Sequence, residues 1–266
     1  MTQAGAAFER AGDEQRAALV GYVPAGFPSV QGAIDAALAM ATSGADILEI
    51  GLPYSDPLID GPVIQEAVHR ALEGGVHITD VLRTVEAVAG AGVPALVMTY
   101  WNPIVRYGVA AFARDLAAAG GCGMITPDLP PEEAGDWLEA AAECELDRVF
   151  LVAPSSPDER IKLITSACGG FVYAASVMGI TGTRAAVGEA AAVLVERTRK
   201  HTKLPVAVGL GVSNRAQAAE VAQYADGVIV GSAFVQRLLT AADARAGLAA
   251  VADLAAELAD GVRVRL

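Results

Sequence analysis

The chain has 266 residues, of which 53% are hydrophobic and 19% are charged, and its mean hydropathy is +0.41. This length and composition favour a compact chain with a full core, as one large domain or two small ones, over a disordered chain. Nineteen Lys and Arg against 31 Asp and Glu give a net charge of -12, so nucleic acids and anionic membranes are poor candidates as partners.

The cysteines and the N-terminal segment point to a cytoplasmic chain. Cys122, Cys144 and Cys168 are widely spaced, odd in number and form no CxxC motif, so neither a disulfide framework nor a metal site is expected. Charged residues interrupt segment 1–16, which therefore lacks the core of a signal peptide. Glycine and proline break the uncharged run 87–105, which we interpret as a helix end, a turn and a buried strand.

Short β-branched apolar runs alternate with amphipathic segments along the chain. Strands are predicted at 18–23, 46–50, 95–99, 123–126, 148–152, 170–174, 205–208 and 227–230. Helices are predicted at 30–42, 63–73, 79–89, 109–119, 132–144, 157–167, 185–200, 215–223 and 233–259. Strand followed by helix eight times predicts a (β/α)8 TIM barrel, a single domain over 1–266, with additional N-terminal and loop helices. The same alternation also permits an open doubly wound sheet.

Local signals support the helix boundaries. Start signals are Ser29 and Thr79 as N-caps, Pro130-Pro131, and Ser213 before Asn214. Stop signals are Gly44, Gly92 and Gly120.

Two acids mark the end of the second predicted strand as chemically unusual. With a period of two, Glu49 points to the opposite side from Leu48 and Ile50, which places it on the enclosed side of a barrel. Asp60 follows in a loop rich in Gly, Pro, Ser and Asp. Two carboxyls in unlike environments suit general acid–base chemistry. The alternatives are an acid paired with a backbone donor for Glu49 and a helix N-cap for Asp60.

The loops after the last three strands resemble a phosphate cradle. Glycines allow a backbone to approach an anion, and a helix beginning at Ser232 would aim its N–H groups at it. The position after strands seven and eight is usual for phosphate in such barrels. The candidate residues are Gly182, Gly211, Gly231 and Ser232. Ordinary turn glycines are the alternative.

Several motifs resemble the tryptophan synthase alpha chain family from about Ala18 to Leu239. They are Tyr22-x-x-Ala-Gly-Phe-Pro28, the segment 48–62, Tyr100-x-Asn102-Pro103, Asp128-Leu129-Pro130, Tyr173 followed by Gly179-Ile180-Thr181-Gly182, Gly209-Leu210-Gly211-Val212-Ser213, and Gly231-Ser232-Ala233. The acidic loop is the most specific of them. Ile59 and Pro24 differ from the residues common at these positions in the family, but they flank the reacting groups and do not replace them.

The resemblance implies a lyase that cleaves indole-3-glycerol phosphate to indole and D-glyceraldehyde 3-phosphate, with Glu49 and Asp60 as the catalytic residues. It implies no cofactor in this chain. It also implies docking to a beta chain that carries pyridoxal phosphate, as an alpha2beta2 heterotetramer, with Asp56 in the loop that faces the partner.

Residues at or just beyond the strand ends are candidates for the indole slot. They are Tyr22, Met98, Tyr100, Ile125, Leu151, Tyr173 and Thr181. The strand-end side chains could equally be barrel core. The loop 177–188, rich in Gly and small residues, is a candidate lid.

Two other functions stay open on the residues alone. A Schiff-base aldolase needs a lysine at a strand end. None of the three lysines, Lys162, Lys200 and Lys203, is predicted there. A subunit that only binds indole and activates its partner would not need Glu49 and Asp60 intact.

Overall fold

The computed structural model describes residues 2–175 and 184–264, and within them nine parallel strands form one sheet. The strands are β1 (Ala18–Pro24), β2 (Ile47–Gly51), β3 (Ala95–Met98), β4 (Gly123–Ile125), β5 (Asp147–Val149), β6 (Leu151–Val152), β7 (Val172–Ala175), β8 (Val206–Gly209) and β9 (Gly227–Val230). All eight predicted strands are present, with bounds shifted by at most two residues, and the fifth is divided into β5 and β6.

The division of the fifth strand explains how the sheet curls into a barrel. The strand order is β5-β4-β3-β2-β1-β9-β8-β7-β6, so β5 and β6 are its two edges. Only Phe150 separates these edges along the chain. β5 pairs with β4 and β6 pairs with β7. The chain itself therefore joins the edges into a nearly closed ring, which confirms the barrel and excludes the open sheet.

Twelve helices surround this ring in the part of the chain that the structure describes. They are α1 (Gln3–Asp13), α2 (Val30–Thr42), α3 (Pro62–Glu73), α4 (Ile78–Gly90), α5 (Trp101–Tyr107), α6 (Val109–Ala118), α7 (Gly135–Glu143), α8 (Asp158–Ala167), α9 (Arg184–Arg199), α10 (Arg215–Ala222), α11 (Ser232–Thr240) and α12 (Ala244–Val262). α1 and α5 are the expected additional helices at the N-terminus and in a loop. None of the described helices is long and apolar enough to cross a membrane.

Most of the predicted helix boundaries are confirmed. The Ser29 hydroxyl accepts a hydrogen bond from the Gly32 N–H at 3.0 Å, and Asn214 caps α10 in the same way. The three predicted stop glycines all have positive φ, at 112°, 79° and 78°. That conformation is cheap only for glycine, which is why these helices end there.

Three helix predictions need correction. Thr79 is not an N-cap: His77 is, and its N–H donates to the Asp80 carboxylate at 3.0 Å. The predicted helix 132–144 consists of a 3-10 turn, Pro131–Glu133, and then α7, because the backbone at Ala134 breaks the ladder between them. The predicted helix 233–259 is two helices, because Asp243 caps the start of α12 by accepting from the Ala246 N–H at 2.8 Å.

Helix α1 plugs the N-terminal end of the barrel. Its apolar face joins the inward-facing residues of the strands in one buried cluster, which includes Ile47, Leu96 and Ile229. Phe8 of α1 packs on Phe171 just before β7, with ring centroids 5.2 Å apart. Helix α1 thus fills the N-terminal end of the barrel interior with apolar side chains.

The packing of α1 against the barrel interior leads to a prediction about the stability of the protein. Phe8→Ala is expected to lower the free energy of unfolding by about 3–5 kcal/mol, because it removes a buried ring and leaves a cavity. Urea denaturation measures the change. The control is Val193→Ala on the exposed side of α9, where the expected change is within about 0.5 kcal/mol. Equal effects of the two substitutions would show that α1 contributes little to the core.

Candidate active site

The C-terminal ends of the strands surround a cavity of about 220 Å³. Its lining residues are Tyr22, Glu49, Ile59, Asp60, Ile64, Met98, Tyr173, Gly209, Leu210, Gly211, Ile229, Gly231 and Ser232. A larger cavity, about 440 Å³, lies at the opposite end of the barrel between α1 and the segment 202–205, and it contains none of the predicted site residues. The predicted catalytic and phosphate residues that the structure describes therefore converge on one cavity.

Glu49 lies on the inner face of β2, as its alternation with Leu48 and Ile50 predicts. It stands beside Tyr22 of β1 in the strand register, and only 1% of its surface is exposed. Its Oε1 atom has no hydrogen-bond partner among the described residues. Burial raises the pKa of Glu49 to about 8, because the charged form would lose its hydration without gaining a donor. Near neutral pH this carboxyl therefore holds its proton and can donate it.

Asp60 sits in the loop between β2 and α3 in a different environment. It is half-buried, and its Oδ2 atom accepts a hydrogen bond from the Tyr100 hydroxyl at 3.2 Å. Burial raises the pKa of Asp60, and the Tyr100 hydrogen bond opposes this. Asp60 does not cap α3, because the N-cap of that helix is Gly61. The two carboxyls thus differ in hydration and in partners, which is the condition for different roles.

Two tyrosines enter the cavity over glycines on neighbouring strands. A Cβ atom at Gly51 would collide with the Tyr22 ring, and one at Gly209 would collide with the Tyr173 ring. Burial, with the nearby Glu49 and Asp60 carboxyls, raises the pKa of both tyrosines well above its usual value. Both hydroxyls therefore stay protonated over the working pH range and remain available as donors.

The remaining candidates for the slot are placed differently. Met98 lines the cavity, and Tyr100 lines a smaller space beside it that Tyr22, Asp60 and Met98 share. Ile125 is fully buried in the barrel interior and Leu151 packs against the same cluster, so neither lines the cavity. Thr181, Gly182 and the part of the predicted lid 177–188 that precedes α9 lie outside the residues that the structure describes.

The predicted phosphate residues meet at the start of α11. Gly231 is the N-cap of this helix and Ser232 is its first residue, so unpaired N–H groups of the first turn face the cavity end. Gly211 lies beside them with φ of 72°, a conformation that favours glycine. A backbone turn and a helix N-terminus together form an electropositive corner, and none of the described lining residues has a cationic side chain.

Sequence reasoning missed three apolar lining residues: Ile64, Leu210 and Ile229. Ile229 is an inward residue of β9, which period two could have shown. Ile64 lies in the first turn of α3, and no local pattern indicates that this turn leans over the barrel mouth. The apolar wall matters because a flat aromatic ring needs it.

A nearly closed parallel barrel with two unlike carboxyls at its C-terminal mouth defines a TIM-barrel protein whose cavity suits acid–base chemistry. A sequence model for the family described as tryptophan synthase alpha chain matches residues 8–263. The chain belongs to the tryptophan synthase alpha chain family. It is accordingly a lyase subunit that carries out the alpha-subunit reaction of tryptophan biosynthesis.

Curated relatives and solved structures agree with this assignment. The chain is 61% identical over 253 residues to the tryptophan synthase alpha chain of Thermobifida fusca, covering 94% of both chains. It is 62% identical over 251 residues to that of Streptomyces coelicolor, covering 94% of this chain and 93% of the relative. The fold is similar to ligand-free tryptophan synthase from M. tuberculosis, with a TM-score of 0.92 and 52% identity, covering 99% of this chain and 100% of that chain.

Proposed function

We propose that Glu49 and Asp60 together catalyse the retro-aldol cleavage of indole-3-glycerol phosphate to indole and D-glyceraldehyde 3-phosphate. One observation carries this assignment: a buried carboxyl whose Oε1 atom has no partner among the described residues lines the same cavity as a half-buried, hydrogen-bonded carboxyl. The reaction needs an acid and a base at one carbon–carbon bond and a separate acceptor at the ring nitrogen, and these two side chains supply both.

Glu49 acts first as the acid and then as the base. Its proton goes to the ring carbon that bears the glycerol chain, which turns the indole into a leaving group. The carboxylate left behind then takes the proton of the adjacent hydroxyl as the carbon–carbon bond breaks and the aldehyde forms. A pKa of about 8 suits both steps, because it keeps the energy difference between the two protonation states small near neutral pH.

Asp60 stabilises the ring cation that the first step creates. Protonation of the ring carbon leaves positive charge at the ring nitrogen, and a carboxylate that accepts the N–H lowers the energy of that state. The Tyr100 hydrogen bond opposes the effect of burial and favours the ionised form of Asp60. The less buried carboxyl thus remains an acceptor while the fully buried one holds its proton.

The rest of the cavity holds the two ends of the substrate apart. The phosphate binds at Gly211, Gly231 and Ser232, and Gly182, in the loop after the sixth predicted strand, is proposed as a further contact. The indole ring lies between Tyr22, Met98 and Tyr173, and we retain Tyr100 and Thr181 as further candidates for this slot. Ile125 and Leu151 do not line the cavity and belong to the barrel core. Fixing both ends places the reacting carbon beside Glu49 without any metal or Schiff base.

The partner surface lies on the same face of the barrel. Leu58 and Ile59 in the Asp60 loop are 77% and 54% exposed, and Val105 on α5 is also exposed. Large apolar side chains in water at the mouth of an active site are typical of a docking surface. We propose that the beta chain covers them in a cytoplasmic alpha2beta2 assembly of single-domain alpha chains, and that the pyridoxal phosphate belongs to the beta chain.

Release of indole from indole-3-glycerol phosphate tests the proposal. We expect slow release by the purified chain alone and faster release with a beta chain. Asp60→Asn is expected to lower kcat by about 10- to 100-fold, since it removes a charged hydrogen-bond acceptor worth roughly 1.5–3 kcal/mol. The matched control is Asp136→Asn on α7, which is exposed and outside the cavity, and we expect it to keep full activity.

A folded chain that binds the substrate yet releases no indole with or without the partner would refute the assignment. Full activity of Asp60→Asn would leave the reaction in place and remove Asp60 from it. If the chain only bound indole and activated its partner, Asp60→Asn would not lower kcat.

A further inference from the structure

The Tyr100 hydroxyl makes three hydrogen bonds around the Asp60 loop. Its oxygen lies 3.0 Å from the backbone nitrogen of Leu58 and 3.0 Å from that of Ile59. It also lies 3.2 Å from Oδ2 of Asp60. One phenol oxygen therefore joins the exposed segment of the loop to the carboxyl that ends it.

The chemistry of the hydroxyl fixes the direction of these bonds. A phenol has one proton to donate, and its oxygen can accept from donors. The Leu58 and Ile59 N–H groups can only donate, so the oxygen accepts from both. The remaining proton must point to Asp60. The hydroxyl is therefore held as a donor to Oδ2. Oδ1 accepts no hydrogen bond from a described residue and can accept one from a substrate.

We propose that Tyr100 is a positioning residue for the alpha-subunit reaction, whose hydroxyl holds the Asp60 carboxylate in the orientation that accepts the indole N–H. This inference rests on the proposed role of Asp60. It assigns to Tyr100 an effect that passes through Asp60, in addition to any contact of its ring with the substrate.

No other described residue competes for this role. The titratable groups that face Asp60 are Tyr22 on β1, Glu49 on β2 and Tyr173 on β7. None of them donates a hydrogen bond to Asp60 within the described ranges, where the Tyr100 bond is the one side-chain contact to its carboxylate. Removing that bond therefore removes the donor that opposes the effect of burial on the pKa of Asp60.

The Tyr100 ring is held by contacts that do not involve the hydroxyl. It is buried, and it packs on Tyr54 with ring centroids 5.3 Å apart. The next residue, Trp101, donates its backbone N–H to both carboxylate oxygens of Asp128, at 2.9 and 3.1 Å. Replacing Tyr100 by Phe is thus expected to remove the hydroxyl while the ring stays in place.

Tyr100→Phe in the presence of saturating beta chain is the first test. We expect kcat for indole release to fall about 2- to 10-fold, the effect of losing the hydrogen bond to Asp60, and KM to change less than about twofold. The acid limb of the pH profile should move to higher pH, because Asp60 without its donor binds a proton more readily. Tyr107→Phe is the matched control: its hydroxyl donates to Asp115 at 2.5 Å on an exposed surface, and its loss should leave both readouts unchanged.

A double-mutant cycle separates positioning from plain structural damage. If Tyr100 acts through Asp60, Tyr100→Phe should cost almost nothing further in an Asp60→Asn background. A full additional loss there would overturn the proposal, and so would a wild-type pH profile in Tyr100→Phe. An Asp60→Asn variant as active as the wild type would instead overturn the proposed function.

A second variant guards against misfolding of Tyr100→Phe. Replacing Tyr100 by 3-fluorotyrosine keeps the hydroxyl and makes it a stronger donor. We expect the acid limb to move in the opposite direction, to lower pH. A shift in the same direction as that of Tyr100→Phe would contradict the positioning role.

Discussion

Glu49→Gln is expected to lower kcat for indole release by about 10²- to 10⁴-fold, with little change in KM. Glutamine fills the same space on β2, but its amide can neither give a proton to the ring carbon nor take one from the hydroxyl. The substrate still binds, because the phosphate corner and the aromatic slot lie on other strands. Steady-state release of indole with a saturating beta chain measures the loss.

The control for this prediction is a matched change at an exposed position. Glu143→Gln at the end of α7 alters the same chemical group in water, and we expect wild-type kinetics from it. A Glu49→Gln variant that retained more than about a tenth of the wild-type kcat would mean that another group transfers the protons. The half-buried Asp60 would then be the first candidate.

The same substitution is expected to stabilise the protein at alkaline pH. The pKa of Glu49 is raised to about 8 in the folded chain, whereas an unfolded Glu titrates near 4.5. Between these values the folded state binds more protons, so the stability of the wild type falls as pH rises through this window. The loss of stability that ionisation of Glu49 causes is absent below pH 4.5, grows through neutral pH and is complete above pH 8.

The size of this effect follows from the shift. Each pKa unit corresponds to about 1.4 kcal/mol. We therefore subtract the free energy of unfolding of the wild type from that of Glu49→Gln, and we expect this difference to be a few kcal/mol larger at pH 9 than at pH 5. Urea denaturation of both proteins across this range measures the difference. Any pH-independent cost of burying the amide cancels, because only the change with pH is compared.

A variant whose stability differs from the wild type by the same amount at pH 5 and pH 9 would show that Glu49 is not protonated in the folded chain at neutral pH. Glu143→Gln again serves as the control, and its difference should not change with pH. The two Glu49 predictions are linked, because burial without a partner is both what prepares the proton for transfer and what destabilises the fold.

The partition of roles between the two carboxyls follows from their surroundings and not from their chemistry. Glu49 is on a strand inside the barrel, where no described residue donates a hydrogen bond to its Oε1 atom. Asp60 is on a loop that the Tyr100 hydroxyl holds through three hydrogen bonds. A change in the loop therefore alters Asp60 before it alters Glu49. In the proposed mechanism, this separation would allow the ring-nitrogen contact of Asp60 to be adjusted while Glu49, the proposed proton donor, stays fixed.

Local patterns in the sequence were sufficient for the eight strands, for the inward direction of Glu49 and for the start of a helix at Ser232. These features depend on alternation and on residues three or four positions apart, which any short segment displays. The same reasoning was wrong at Thr79, because the Asp80 carboxylate accepts a hydrogen bond from the His77 N–H and so places the N-cap at His77. It also missed the cap at Asp243, which divides the last predicted helix.

The sequence by itself determined the fold class, the family resemblance and the two acids, since each is written in a short stretch of residues. Only the tertiary structure decided that Tyr100 meets Asp60 across 40 positions of the chain, that Phe150 joins the two edges of the sheet, and that α1 fills the barrel from below. The pKa of Glu49 is also decided there. The physical reason is that hydration and distance depend on how the whole ring closes, and no local spacing of residues contains that information.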